Sequence, residues 1–306
     1  MYDVIILGGG PGGFTTALYC ARAGFETLVL EKISAGGQMC LTSQIDNYPG
    51  FENGIDGFTL GMKMQQGAER FGVKVSREEV ISVDFNGDVK TVKTAKNTYE
   101  GRCVVIATGA DHKHLGVADE EKLIGRGVGY CAACDGMFYR GKQVAIVGGG
   151  NSAAADALLL SNICEKVTVI HRRDSLRATK VYHNPLQNAD NVEFCWDSTV
   201  QKFLYDERLN GVVVKNVKTN EEKIINCDGL FISIGRQPAT KLFEGQVELD
   251  SYGYVVADET TKTNIDGVFA VGDVRTKTVR QIVTATADGA TAAHFIEEYL
   301  MDKFNQ

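Results

Sequence analysis

Residues 131–136 read CAACDG. A pair of cysteines in a C-x-x-C spacing, with an acid directly behind it, has three uses: half of a metal clamp, a structural crosslink, or a disulfide that opens and closes in turnover. The six residues alone do not choose among them. Zinc wants four ligands, and no second pair stands at metal spacing. His112 and His114, in the stretch HKH, read as a solvated linker, so no metal is expected. The remaining choice rests on the elements that carry the pair.

A chain of 306 residues, 44% of them hydrophobic, has material for about two domains with sizeable cores. It holds 34 Gly and only 4 Pro, a balance that suits tight backbone approaches to ligands rather than stiff linkers. A formal net charge of −7 argues against nucleic-acid or anionic-membrane partners, since both need a basic surface. The opening MYDVIILGGG starts a strand at once and leaves no room for a cleaved leader. No apolar run approaches the roughly 20 residues of a membrane span. A cytoplasmic protein is expected, with its cysteines mostly reduced. Cys20, Cys40, Cys103, Cys164, Cys195 and Cys227 stand alone in sequence and read as buried small hydrophobes.

An internal repeat organises the chain. Residues 4–31 and 144–171 share one pattern: an apolar β-branched run, a glycine cluster, an apolar stretch at helical spacing, and a second apolar run. Each predicts a βαβ unit. The first carries G-x-G-x-x-G at Gly8, Gly10 and Gly13, and the second G-x-G-x-x-A at Gly148, Gly150 and Ala153. In this fingerprint one glycine makes the turn, one admits a pyrophosphate, and the small third residue lets helix and strand pack. The pyrophosphate then lies at a helix N-terminus.

The two units differ where the second strand ends. Glu31 lies 23 residues after Gly8, where an acid hydrogen-bonds a ribose hydroxyl and favours an unphosphorylated adenosine ribose. At the same offset from Gly148 stands His171, followed by Arg172, Arg173 and Arg177. Cations there suit a ribose 2′-phosphate, so the second site reads as one for NADP(H). Two dinucleotide sites beside a cysteine pair suggest an electron relay, and a handoff from a nicotinamide to a disulfide ordinarily passes through a flavin. GVFAVGDVR (267–275) reads as a strand that leaves Asp273 near the first nucleotide site, where it can hold a polyol hydroxyl. RQIVTATADGATAAHFI (280–296) reads as a helix whose start presents N–H groups to a flavin ring edge.

With these segments in view the chain is similar, from end to end, to the low-molecular-weight thioredoxin reductases of bacteria. The motifs that carry the resemblance are GGGPGG, the GGQ of 36–38, IDNYPGF (45–51), IATGA, CAACDG, GGGNSA, HRRDSLRA, ISIGRQP (232–238), GVFAVGDV and RQIVTATADG. The resemblance implies an α/β fold of two Rossmann-like, three-layer, dinucleotide-binding domains, with the NADPH domain inserted into a FAD domain split in sequence. The expected boundaries are 1–113 and 242–306 for FAD and 114–241 for NADPH, with hinge strands in ADHKHLGVAD and GRQPATKLFEG.

It further implies which positions hold each cofactor. For FAD these are Gly8, Gly10, Pro11, Gly12, Gly13, Glu31, Lys32, Ala35, Gly36, Gly37, Gln38, Asn47, Ala107, Thr108, Gly109, Gly272, Asp273, Arg280, Gln281 and Ile282. For NADPH they are Gly148, Gly150, Asn151, Ser152, Ala153, His171, Arg172, Arg173, Arg177, Ile234, Gly235 and Arg236. The activity implied is thioredoxin-disulfide reduction: NADPH reduces FAD, FAD reduces a Cys131–Cys134 disulfide, the domains rotate, and the dithiol reduces thioredoxin. By the same analogy Cys134 is nearest the flavin, Cys131 attacks thioredoxin, and Asp135 protonates a departing thiolate. Arg126, Phe138 and Arg140 are the implied docking residues, with Met137 where many relatives carry an aromatic. The resemblance also implies a homodimer.

Three alternatives compete. A ferredoxin-linked flavin reductase of the same fold lacks a nicotinamide site, against which GGGNSA and HRRDSLR speak. The reductase of a peroxidase system carries an extra N-terminal thioredoxin-like domain, whereas this sequence begins at the first nucleotide strand. A non-enzymatic module with a structural or zinc-holding C-x-x-C has only two ligands at suitable spacing.

Overall fold

The structure, a computed structural model, describes residues 1–42 and 44–304. The chain begins with β1 (Tyr2–Leu7), α1 (Pro11–Arg22) and β2 (Thr27–Glu31), followed by α2 (Gly57–Glu69) and β3 (Lys74–Arg77). Pro11 opens α1, where its missing N–H breaks no helical bond. Asp56 caps α2 by accepting from the Thr59 amide at 2.8 Å. Strands β4 (Val80–Asp84), β5 (Lys90–Thr94) and β6 (Thr98–Ile106) run antiparallel, and β7 (Ala110–His112) follows. Next come α3 (Glu120–Leu123), β8 (Val128–Gly129) and α4 (Ala132–Asp135), then the second βαβ unit of β9 (Gln143–Val147), α5 (Asn151–Ser161) and β10 (Lys166–Ile170). After α6 (His183–Gln187) and β11 (Val192–Cys195) stand β12 (Ser198–Tyr205), β13 (Leu209–Asn216), β14 (Glu222–Asn226) and β15 (Gly229–Ile232). The chain closes with β16 (Arg236–Pro238), β17 (Val268–Ala270) and α7 (Ile282–Phe304). That last helix starts two residues later than its apolar pattern predicts and runs on past 296.

Two compact units result, 1–111 together with 237 onward, and 112–236. In the first, the sheet order is β3-β2-β1-β6-β5-β4, with β17 parallel to the second half of β6. Alternate strand residues face opposite layers, as the pleat requires. Val4, Ile6, Val29, Val105 and Phe269 pack against α1 and α7, while Ile5, Leu7, Leu28, Val104 and Val268 pack with Phe85, Val92 and Phe243 on the other face. In the second unit the parallel sheet is β11-β10-β9-β15-β8. Val144, Ile146 and Phe231 face α5, and Ala145, Val147 and Leu230 face the antiparallel sheet β12-β13-β14. Both units are therefore layered α/β structures around a parallel sheet. Both faces of the parallel strands are buried, which is why they read as continuous β-branched runs.

The returning segment locks onto the first unit through backbone contact and charge. A Cβ on Gly289 of α7 would lie 2.5 Å from the Gly12 carbonyl of α1, so the two helices cross at a point only glycine allows. The residue directly before Gly289 is a buried carboxylate, Asp288. It accepts from the Gly272 amide (2.8 Å), Arg275 Nε and Nη2 (3.0 and 2.8 Å) and Lys277 Nζ (2.7 Å). Burial works against its ionisation, and the bonds from Arg275 and Lys277 outweigh that, holding the carboxyl below its usual range. Asp288→Ala leaves both cations buried without their anion, so it is expected to cost about 3–5 kcal/mol. Chemical denaturation checks this, and a midpoint equal to that of the parent protein contradicts it.

Candidate active site

Cys131 and Cys134 form a disulfide across one turn, with Cα atoms 5.3 Å apart. The sequence around them explains the placement. Cys131 is the N-cap residue of the short α4, and its carbonyl accepts from the amides of Cys134 (3.2 Å) and Asp135 (3.1 Å). Ala132, 2% exposed, points into the core beside α5. Tyr139, three residues beyond Gly136, lies over Gly229, where any side chain would collide with its ring, and meets Phe231 edge-on at 5.4 Å. The pair is thus held from both ends while both cysteines stay partly exposed.

Asp135 sits behind the disulfide with its carboxyl over Gly129, where a Cβ would lie 3.3 Å from Oδ2. It has no ion pair or hydrogen bond through its side chain among the described residues. Burial alone pushes its pKa up to about 6. An acid that holds its proton up to about pH 6, in the residue next to Cys134, can give that proton to a sulfur.

Tyr130, directly before the pair, was not legible as a site residue. Its hydroxyl donates to Glu120 Oε1 at 2.7 Å and lies 2.9 Å from His114 Nδ1. Glu120 is buried and also accepts from the Leu115 and Gly116 amides at 3.0 and 2.9 Å. His112 stacks on the Tyr130 ring at 4.7 Å. Burial, with Arg236 and His114 nearby, lowers its pKa to about 4. The expected solvated HKH linker is corrected here: these histidines pack on the residue that leads into the disulfide. The other thiols follow the expectation with one exception, since Cys40 is half-buried while the remaining five are buried. Burial pushes Cys103 and Cys227 up to about 12 and keeps them inert.

The first glycine turn has the shape of a phosphate cradle. Gly8 has φ +112°, and a Cβ there would lie 2.5 Å from the Ala107 carbonyl. A Cβ on Gly13 would strike the Gly8 carbonyl, whereas one on Gly10 would meet nothing within 4 Å. Gly10 is the N-cap of α1 and supplies no side chain to the first N–H groups, which stay available to an anion. Glu31 ends β2 and accepts from the Gly9 amide (2.7 Å) and the Ile33 amide (2.9 Å), which ties the turn to the strand beside it. The Gly36 amide donates to the Gly9 carbonyl at 2.7 Å, bringing the loop of Ala35, Gly36, Gly37 and Gln38 to the same end. Asn47 donates to Gln281 at 3.1 Å, joining that loop region to the start of α7. Ala107, Thr108 and Gly109 follow β6, and Gly272 and Asp273 follow β17. All of these positions gather at the C-terminal ends of parallel strands, the end at which open α/β sheets bind ligands. Arg280 lies 4.1 Å over the Tyr254 ring with a buried Nε that has no partner. Lys32 stays at the surface, paired with Glu79 at 3.9 Å.

The second turn repeats the geometry with other side chains. Gly148 has φ +152°, and a Cβ on it would meet the Ser233 carbonyl and the Ala153 side chain. A Cβ on Gly150 would meet nothing within 4 Å. His171 takes the place of Glu31: its ring lies against Gly149, buried, with Nε2 unpartnered. Burial and the charges of Arg177, Arg173 and Arg172 push its pKa down. The loop that follows is stitched to the turn by Arg177 and Ala178 amides on the Gly149 carbonyl (2.7 and 3.1 Å) and by the Thr179 amide on Asn151 Oδ1 (2.8 Å). Asp174, the acid within HRRDSLR, pairs with Lys218 at 3.4 Å. Arg172, Arg173 and Arg177 are exposed and carry no ion pair among the described residues. Ser152, Ile234 and Gly235 are exposed beside this turn. Asp156 and Ser233, hydrogen-bonded to each other, were missed because Asp156 lies outside the glycine fingerprint and Ser233, although within ISIGRQP, carries no signal of its own. Arg126, and Met137, Phe138 and Arg140 a few residues after the disulfide, are all exposed. No group of three or more His, Cys, Asp or Glu among the described residues is placed to hold a metal, and no described helix is long and apolar enough to cross a membrane.

Comparison with known proteins gives a consistent answer. Residues 2–289 match the family described as pyridine nucleotide-disulphide oxidoreductase. A thioredoxin reductase of Listeria monocytogenes is 43% identical over 301 residues, which cover 98% of this chain and 94% of that protein. The crystal structure of a thioredoxin reductase from Streptococcus pyogenes matches with a TM-score of 0.92 at 42% identity, over 99% of both chains. One from Lactococcus lactis, in its FR conformation, matches with a TM-score of 0.70 at 40% identity, over 99% of this chain and 100% of that one.

The open space at the two middle glycines makes a test of the cradle. Gly150→Ala is expected to leave the unfolding free energy within about 0.5 kcal/mol of the parent, as for an ordinary surface change, while its methyl group weakens nucleotide binding measured by calorimetry. Unchanged nucleotide affinity in a folded Gly150→Ala protein contradicts the reading of this turn.

Proposed function

The chain belongs to the pyridine nucleotide-disulphide oxidoreductase family, and on that premise we propose that it is a thioredoxin reductase, passing electrons from NADPH to thioredoxin's disulfide through FAD and the Cys131–Cys134 pair. The observation that carries this reading is the disulfide itself, partly exposed and backed by a half-buried acid in a unit that also presents an uncapped nucleotide turn. The split unit is read as the FAD domain and the unit of 112–236 as the NADPH domain. A cytoplasmic location agrees with the six free thiols, and assembly as a homodimer is part of the same reading.

When bound, FAD supplies a two-electron carrier between the nicotinamide and the disulfide. Gly8, Gly10 and Gly13 would admit its pyrophosphate, Glu31 would hold the ribose, Asp273 a polyol hydroxyl, and the Arg280–Ile282 segment the ring edge. Gly148, Gly150 and Ala153 would take the NADPH pyrophosphate, and Arg172, Arg173 and Arg177 its 2′-phosphate. The buried Nε of Arg280, without a hydrogen-bond partner among the described residues, and the three exposed arginines with no ion pair among those residues fit such ligands.

In the dithiol form, the Cys131 thiolate attacks one sulfur of thioredoxin's disulfide and forms a mixed disulfide, releasing the other thioredoxin sulfur as a thiolate. Cys134 then attacks Cys131 Sγ, which restores the Cys131–Cys134 bond and expels thioredoxin's second thiolate. Asp135 gives its carboxyl proton to a departing sulfur. Cys131 and the exposed Phe138, Met137 and Arg140 offer the face on which thioredoxin docks. A rotation about the two chain crossings, at β7 and β16, belongs to this reading, because dithiol and nicotinamide must each reach one flavin ring in turn.

Three outcomes are expected. The yellow protein is bleached by NADPH far faster than by NADH and then reduces added thioredoxin; bleaching without thioredoxin turnover contradicts the acceptor. Arg172→Ala weakens NADPH roughly tenfold to hundredfold, the worth of one charge-assisted hydrogen bond, and leaves NADH unchanged; equal losses remove the 2′-phosphate assignment. Asp135 keeps its proton below about pH 6 and loses it above, so thioredoxin reduction slows as pH rises through that value. Asp135→Asn slows dithiol exchange below about pH 6 and lacks the inflection, while flavin bleaching by NADPH is unaffected; a retained inflection shows that another group is the acid.

A further inference from the structure

We infer that the Asp156 carboxylate, oriented by the Ser233 hydroxyl, receives the carboxamide NH2 of the nicotinamide, an assignment that rests on the NADP(H) reading above. The order of the sheet leads to it. In β11-β10-β9-β15-β8 the glycine turn follows β9, and the arginine loop follows β10 on one side of it. A dinucleotide whose pyrophosphate lies at that turn and whose adenosine half lies over β10 must extend its other half over the neighbour on the opposite side, β15. Ser233 is the first residue beyond β15. Its amide donates to the carbonyl of Val147, the last residue of β9, at 2.8 Å, and its own carbonyl is what a Cβ on Gly148 would strike.

Asp156 reaches the same place from the helix. It stands on α5 three residues after Ala153, whose methyl faces Gly148, and so shares the face turned to the strand ends. Ser233 Oγ donates to Asp156 Oδ2. Oδ1 has no hydrogen-bond partner among the described residues, and Asp156 has no ion pair there. Burial disfavours the charge on this carboxyl and raises its pKa, while the Ser233 hydrogen bond and the charge of Arg236 offset part of that. A half-buried carboxylate beside a nucleotide turn, with one oxygen engaged and the other without a hydrogen-bond partner among the described residues, suits a neutral amide donor. A carboxamide NH2 is the donor that the nicotinamide end brings. The adenosine half has no part in this contact.

That asymmetry gives the test. NADP⁺ and 2′,5′-ADP share the adenosine 2′-phosphate and differ by the nicotinamide half. Their affinities are measured by calorimetry on the FAD-loaded protein, its Asp156→Ala and Asp156→Asn forms, and Ser233→Ala. Asp156→Ala is expected to weaken NADP⁺ roughly tenfold to hundredfold, one hydrogen bond to a charged group, with 2′,5′-ADP held within about twofold. Ser233→Ala shifts NADP⁺ in the same direction by less, and Asp156→Asn, which retains an acceptor, falls between. Equal weakening of both ligands shows that the pair only braces the Gly148 turn and overturns the assignment, as does unchanged NADP⁺ binding in Asp156→Ala. If the unaltered protein binds neither ligand, the NADP(H) reading itself fails and this inference with it.

Discussion

At two places in this chain a strand runs so close to a carbonyl of its neighbour that no side chain fits between them. Gly8 faces Ala107 and Gly148 faces Ser233, each with positive φ. Much else depends on that approach. It turns the chain sharply out of β1 and β9, starts α1 and α5 with bare N–H groups, and leaves Gly10 and Gly150 open to a ligand. A methyl group at the first glycine would force strand and turn apart, whereas one at the middle glycine would meet nothing within 4 Å. The same backbone solution therefore serves two sites, and the side chains around it supply the difference. Glu31 keeps a carboxylate at the end of β2, held by the Gly9 and Ile33 amides, while His171, its pKa lowered, lies under Gly149 and is followed by three exposed arginines.

The disulfide depends on its unit in a related way. A C-x-x-C turn is reactive only if it is presented without being free to wander. Ala132 and Tyr139 anchor it in the α5 face of the core, and the Tyr130–Glu120 bond anchors the residue before it. Asp135 pays for its proximity with a raised pKa, since it lies buried with no cation to relieve it. That is the setting in which a carboxyl serves as an acid rather than as a salt bridge.

Legibility in the sequence tracked the range of the interaction. The two βαβ units, their turns and the Glu31 and His171 positions were readable because strand, turn and helix are contiguous and their spacing is set by local geometry. The C-x-x-C spacing and the burial of most lone cysteines were readable too, whereas the pairing of Cys131 with Cys134 came only with the resemblance, since six residues do not choose between a metal clamp and a disulfide. The Asp288–Arg275–Lys277 network was not, because its partners are ordinary charged residues until α7 folds back onto the turn at Gly272. His112 and His114 looked like linker because nothing local shows that Tyr130, 16 residues beyond His114, will pack between them. Asp156 and Ser233 are 77 residues apart and meet only through the β9–β15 pairing.

The central claim is that electrons from a nicotinamide reach both a flavin and the Cys131–Cys134 disulfide. Anaerobic titration of the purified protein with NADPH, following flavin absorbance and free thiols together, tests it most directly. The account predicts that full reduction consumes two equivalents per chain, one for the flavin and one for the disulfide, each a two-electron step. It also predicts that Cys134→Ser consumes one. A single equivalent for both proteins, with no thiols gained beyond the six already free, would contradict it.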